Sequence, residues 1–271
     1  MPDKVIICFS GTGNSYYVSK ILCARLGYDQ VILGPDVLDR PEILGNPSEI
    51  GVVFPTYSGH PTQNLGPLMI NVLSKPEFDR LEFFFAITTC GLFPGHSLKI
   101  AEQLAMESNI LCSFLDWVKM PDTYVPMAPI PSDEVQKEIL SKADQKINEI
   151  ATRILKNDFA IPRRKMLTKL AFKRYCKVCS RPGVPSVHAS DACTGCEHCE
   201  AVCPRDAITM ESGKPLFNSN CENCLACYHF CPVHAIVLDR EPSGGYTYYS
   251  NRFTGYCPDY RQDSGDKQEH S

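Results

Sequence analysis

The feature that most constrains this chain is a run of cysteines that occurs twice. Cys193, Cys196, Cys199 and Cys203-Pro204 recur 28 positions later as Cys221, Cys224, Cys227 and Cys231-Pro232, each run followed by Ala-Ile at 207–208 and 235–236. Such a duplication makes two pseudo-symmetric halves, so residues 188–240 read as a small domain. Gaps of two residues wrap the backbone around a metal–sulfur cubane with N–H groups aimed at the sulfurs, and the proline turns the fourth thiolate away. Zinc sites instead separate their C-x2-C pairs by a longer gap, and they give no reason for a three-cysteine run or a repeated Cys-Pro. The chain holds fifteen cysteines. Its start, 1–9, reads as a strand from Lys4 and not as a secretory signal, so cytoplasmic, reduced thiols are expected in place of a disulfide scaffold.

The spacing C-x2-C-x2-C-x3-C-P resembles that of the bacterial two-cluster ferredoxins. The resemblance implies two 4Fe-4S clusters and one-electron transfer at low potential. In that pattern the fourth cysteine crosses to the other cluster, so Cys193, Cys196, Cys199 and Cys231 are expected to hold one, and Cys221, Cys224, Cys227 and Cys203 the other. Cys176, Cys179 and Cys257 lie outside the repeat and are expected to be unligated. Cys8, Cys23, Cys90 and Cys112 fall on elements of the first half, where free cysteine serves as a small core residue.

The first half alternates apolar runs with helical segments. Strands are expected at 4–9, 31–34, 50–54, 81–88 and 109–117, and the runs Val5–Phe9 and Phe83–Ile87 are continuous, as in a parallel sheet covered on both faces. A long amphipathic helix follows from Ser132, as N-cap, to about 157, with Val135, Ile139, Ala143, Ile147, Ile150 and Ile154 on its apolar stripe. The expected organisation is 1–160 as an α/β domain, 161–187 as a basic linker, 188–240 as the cysteine domain and 241–271 as a tail. The linker merits its name: between Asp158 and Asp191 there is no acid, but there are eight Lys or Arg residues.

Directly after the first strand comes Ser10-Gly11-Thr12-Gly13-Asn14-Ser15, then a helical segment. It is an anion site of hydroxyls, backbone N–H groups and a helix N-terminus. It has no lysine, unlike the loop of nucleoside triphosphatases, and its glycines do not match the dinucleotide fingerprint. A ring of such donors suits one terminal phosphate. Two more loops, Pro55-Thr56-Tyr57-Ser58-Gly59-His60 and Thr89-Cys90-Gly91 onward to Gly95, are expected at the same sheet edge, where Tyr57 can stack on a flavin and backbone near Gly59, Cys90 and Gly91 can bond its pyrimidine edge.

With these motifs the N-terminal half resembles the flavodoxins, and the whole chain is similar to the fused proteins grouped as EFR1-family ferredoxins. The resemblance implies a doubly wound parallel sheet of order 2-1-3-4-5 that binds FMN, joined to a ferredoxin-like α+β domain. It also implies an anaerobic-type electron carrier serving a redox partner protein such as a ferredoxin-dependent oxidoreductase. Two other functions stay open: an FMN-dependent reductase of a small organic acceptor, with His60 as a proton donor, and a redox sensor. The cysteine domain, 191–239, carries seven acids against Arg205 and Lys214, which suits a basic partner. A net charge of −4 does not suit nucleic acid, and no run of apolar residues is long enough to span a bilayer.

Overall fold

A computed structural model describes residues 2–158 and 186–239, with positions 173 and 177 between them. Most of the basic linker, the tail, and Cys176, Cys179 and Cys257 lie outside the described residues. Strands β1 (Lys4–Cys8), β2 (Gln30–Leu33), β3 (Glu49–Tyr57), β5 (Phe83–Cys90) and β6 (Cys112–Lys119) form a parallel sheet. Their order is β2-β1-β3-β5-β6, and the short β4 (His60–Pro61) pairs antiparallel with β3. Counting parallel strands alone gives the expected 2-1-3-4-5 order.

The continuous apolar runs are explained by the two faces of the sheet. Val5, Ile7, Val52, Phe54, Phe84 and Ala86 pack on one side, under α4 (Ser97–Glu107) and the π-helical turn Leu68–Leu73 that continues α3 (Leu65–Pro67). Ile6, Val53, Phe85, Ile87 and Phe114 pack on the other, under α1 (Asn14–Leu26) and α5 (Asp133–Leu155). A short α2 (Gly34–Asp39) follows β2. Neighbouring residues on a strand point to opposite faces, so with both faces covered every position is apolar.

Three expectations need correction. Strand β6 begins at Cys112 and not at Asn109, because Asn109 (φ 57°) ends α4 in the left-handed region. Its N–H donates to Met106 O and that of Ile110 to Ala105 O, a Schellman closure. In α5, Val135 is exposed and Ile139 half-buried, and the first two turns bury Gln136 and Leu140 instead. The stripe joins the expected phase only from Ala143. Strand β3 runs on through Pro55 to Tyr57. β1 ends opposite Val53, so Pro55 sits where one side of β3 has no neighbouring strand, and a missing N–H costs nothing there.

The second half is α+β. Strand β7 (Val187–Ala189) pairs antiparallel with β10 (Ile236–Leu238), and β8 (Ile208–Glu211) with β9 (Lys214–Phe217). Between them lie the short helices α6 (His198–Ala201) and α7 (Ala226–Phe230). The duplication is visible in the backbone: positive φ recurs at Gly195 and Asn223, at Glu197 and Leu225, and at Asp206 and His234. Each pair is separated by the repeat length.

Candidate cofactor sites

A small cavity, partly open to solvent, is lined by Cys203, Cys221, Cys224 and Cys227 together with surrounding backbone. This set joins the fourth cysteine of the first run to three of the second. The pKa of the Cys199 thiol is pushed up to about 12, first by burial and then by Cys193, Cys196 and Cys231, which marks those three as its neighbours. The left-handed turns at 195, 197, 223 and 225 bend the chain around these bowls, a conformation that non-glycine residues adopt at a cost. Backbone N–H groups also reach sulfur: Ala207 N–H to Cys203 Sγ at 3.3 Å, Ala235 N–H to Cys231 Sγ at 3.1 Å and Asn223 N–H to Cys221 Sγ at 3.4 Å. Buried thiols whose pKa is raised need a cation to become thiolates, and N–H donors then stabilise the sulfur charge. Buried thiols with N–H donors to sulfur are the donor chemistry that an iron–sulfur cluster takes. Each set holds two buried cysteines, Cys199 and Cys231 in one and Cys203 and Cys227 in the other, and Cys196 alone among the eight is exposed.

The loop after β1 is buried and braced. Ser10 Oγ accepts from Gly13 N–H at 3.0 Å, Ser15 Oγ pairs with Thr89 Oγ1 at 2.8 Å, Thr12 Oγ1 with Thr123 Oγ1 at 3.1 Å, and Asn14 Nδ2 donates to Pro121 O at 2.9 Å. Side chains expected to ring a phosphate are thus bonded to neighbours, though each hydroxyl keeps further capacity. Gly13 takes φ 98° just before the thirteen residues of α1. Gly11 has no room for a side chain, since a Cβ would stand 2.8 Å from Tyr57 Oη and 3.0 Å from Cys224 Cβ. Bare backbone, buried hydroxyls and a helix N-terminus fit a phosphate, and the loop could hold that of FMN.

The other two loops converge on the same edge. Tyr57 and His60 pair across a two-residue turn, Ser58 (φ 50°) and Gly59 (φ 79°), that the left-handed pair makes possible. Gly59 O accepts from His96 N–H at 2.8 Å, and a Cβ on Gly95 would come within 2.5 Å of Gly59 Cα. The close approach ties the loops together. Thr56 Oγ1 is engaged by Thr88 Oγ1 at 2.8 Å and Ser97 Oγ at 2.9 Å, so Thr56 can serve a ligand there through its backbone. Cys90 is a buried thiol whose pKa is pushed up to about 12 by burial and by Asp122, so it is held as the neutral thiol. His60 Nδ1 lies 3.0 Å from Ser58 O, and its buried Nε2 meets no partner among the described residues. Leu92 and Phe93 extend into solvent.

The two sites touch, and sequence reasoning missed the residues responsible. Val125, from the proline-rich stretch after β6, is wholly buried in the core of the cysteine domain, with Ile130 packed beside it. Tyr16 and Leu33 pack on Val202, Ala226 and Phe230. Polar contacts flank this patch: Thr62, Gln63 and Asn64 meet Glu222, Pro204 and Arg205, while His229 Nε2 bonds Thr123 O at 2.9 Å. Burial pushes the pKa of the Glu222 carboxyl up, while the Gln63 N–H, Arg205 and the Thr62 hydroxyl pull it back. The prolines signalled an extended segment, but nothing local marks a partner over a hundred positions away.

Residues 186–232 match the family of 4Fe-4S dicluster domains. Over 73 residues the chain is 34% identical to a component of the F(420)H(2) dehydrogenase of Methanosarcina mazei, a match covering 22% of this chain and 21% of that one. It is 39% identical over 54 residues to the PorD component of the pyruvate synthase of Methanocaldococcus jannaschii, covering 19% and 63%. The chain therefore spans less than two thirds of the length of either relative. Among solved structures it is similar to a flavodoxin from the domain Archaea, with 16% identity, a TM-score of 0.35 and coverage of 55% of this chain and 98% of that one. A rubredoxin oxygen:oxidoreductase from Desulfovibrio gigas gives 12% identity, a TM-score of 0.37 and coverage of 56% and 37%. The first half thus has a parallel sheet of flavodoxin-like strand order, and residues 186–232 of the second carry the cysteine runs that match the 4Fe-4S dicluster domains.

Proposed function

We propose that the protein is an electron carrier with FMN in the first half and two 4Fe-4S clusters in the second, exchanging electrons with a redox partner protein. When bound, FMN would supply both one- and two-electron chemistry and the clusters one-electron chemistry at low potential. Cys193, Cys196, Cys199 and Cys231 would hold the outer cluster, and Cys203, Cys221, Cys224 and Cys227 the inner one. The backbone of Ser10 to Ser15 would hold the phosphate, with Pro55 to Gly59 and Thr89 to Gly91 flanking the ring. The single observation that carries the reading is the close approach of Gly11 to Cys224. A phosphate-type loop and a cysteine of the inner bowl lie side by side, with the Tyr57 hydroxyl against the same glycine.

Two relatives are by name components of a dehydrogenase and of pyruvate synthase, which supports an oxidoreductase as partner. Free thiols at Cys8, Cys23, Cys90 and Cys112 suit a reducing cytoplasm. Anaerobic purification with iron, sulfide and flavin assays tests the reading. About eight iron, about eight sulfide and one FMN per chain are expected, and zinc in their place would refute it. Reduction by a ferredoxin-linked oxidoreductase should be fast, with negligible turnover of small acceptors.

The reductase reading keeps one observation in its favour, the buried Nε2 of His60 that meets no partner among the described residues. Steady turnover of a small acceptor that is lost in His60→Gln would establish it over the carrier.

A further inference from the structure

The two halves meet through buried polar groups, and such groups are tolerated when their partners are fixed. Thr62 and Asn64, just past β4, are 2% and 4% exposed. Glu222, between Cys221 and Cys224, reaches Thr62 and Gln63: Thr62 Oγ1 lies 3.0 Å from both carboxylate oxygens, and Gln63 N–H donates to Oε2 at 3.0 Å. Asn64 Nδ2 donates to Pro204 O at 2.8 Å, and its Oδ1 accepts from Arg205, which also approaches Gln63 Oε1 at 3.4 Å. Pro204 and Arg205 follow Cys203, so every one of these groups belongs to the bowl of Cys203, Cys221, Cys224 and Cys227. Across that bowl, His229 bonds Thr123, whose hydroxyl bonds Thr12 of the phosphate-type loop.

We propose that Thr62-Gln63-Asn64 with Glu222 and Arg205 is a latch that holds the inner bowl against the phosphate-type loop, and that Glu222 is its positioning residue. The two halves then act as one rigid unit and not as a domain swinging on the basic linker. A domain that docks and undocks would meet its neighbour through a polar, hydrated surface. Here both ends of the Asn64 amide and both carboxylate oxygens of Glu222 are matched across a seam in which Thr62 and Asn64 are buried and Glu222 and Arg205 half-buried. The role of the latch in electron exchange rests on the cofactors proposed above; its existence does not.

The test uses the full chain purified without oxygen, as wild type, Glu222→Ala, Glu222→Gln and Thr62→Val. Hydrogen exchange over residues 60–66 reads the latch, and the rate of electron equilibration between flavin and iron–sulfur absorbance after rapid reduction reads positioning. Losing a charged hydrogen bond should speed exchange and slow equilibration about tenfold or more in Glu222→Ala. Iron, sulfide and flavin content should stay unchanged, and midpoint potentials are read alongside so that a slower rate at matched driving force marks lost positioning; Glu222→Gln should recover part of the rate, and Thr62→Val should be intermediate. Exchange and equilibration at wild-type rates in both Glu222→Ala and Thr62→Val would overturn the proposal. If Glu222→Ala loses iron, Thr62→Val carries the test from the other half. If the protein binds no FMN, the exchange arm alone supports or overturns the latch, while the flavin assay refutes the earlier reading.

Discussion

The flavodoxin-like half and the cysteine half are stabilised in opposite ways. The first has two apolar layers, one on each side of a five-stranded parallel sheet, and needs nothing beyond its own side chains. The second has two-stranded ribbons and short helices around a core in which cysteines hold many of the places and Val125 is borrowed from its neighbour. A domain of this size rarely supplies a sufficient core and is commonly fastened by metal. The difference teaches that the fold of one half is written in hydrophobic patterning, while the other is written in ligand spacing.

Removing iron should break the comparison most sharply. Chelation under reducing conditions is expected to abolish hydrogen-exchange protection across 186–239 and leave the sheet of β1, β3 and β5 protected. Equal loss in both halves would show that the first depends on the second. The converse change is Phe85→Ala, which opens a cavity under α1 and α5 and should cost about 3–5 kcal/mol, read by denaturant unfolding of the first half. Its ring packs directly over Gly51, where a Cβ would stand only 2.2 Å from it.

Val125→Ala sharpens the point, because the residue sits in one half of the sequence and the core of the other. We expect about 2 kcal/mol, appearing as faster exchange in β7 and β10 and not in the parallel sheet. The smallest effect is at Asp29, whose carboxylate accepts from the N–H groups of Lys4 and Asp3, bonds that hold its pKa below the usual range. A depressed folded pKa contributes stability above the unfolded value, and that contribution is lost as pH falls through the folded one. Asp29→Asn should therefore slightly lower the melting temperature of the first half at neutral pH and have no effect in strong acid.

Local signals show how far the sequence could be read. The strands and the glycine at 13 are local or periodic matters, and they were legible from runs of apolar residues and one loop motif, while the order of the sheet came only with the resemblance to flavodoxins. The phase of α5 was not, because Val135 and Ile139 match the helical period as well as Leu140 does, and only the presence of β6 and α1 beneath the helix chooses between them. The Schellman closure at Asn109 could have been suspected from an asparagine after a helical segment. Glu222, Arg205 and Thr62 could not: each is an ordinary surface residue by type, and its role arises from a neighbour brought over by tertiary packing.

The paired positive φ values carry a further consequence. At three places the two cysteine runs keep the same turn of the chain while exchanging Gly for Asn, Glu for Leu and Asp for His. Two copies of one wrapper are thus interchangeable in form, and both touch the first half, yet the second sets Cys224 against Gly11 while the first leaves Cys196 exposed. Their inequality is a matter of address, and a molecule built from a twofold repeat acquires an inside and an outside without altering the repeat.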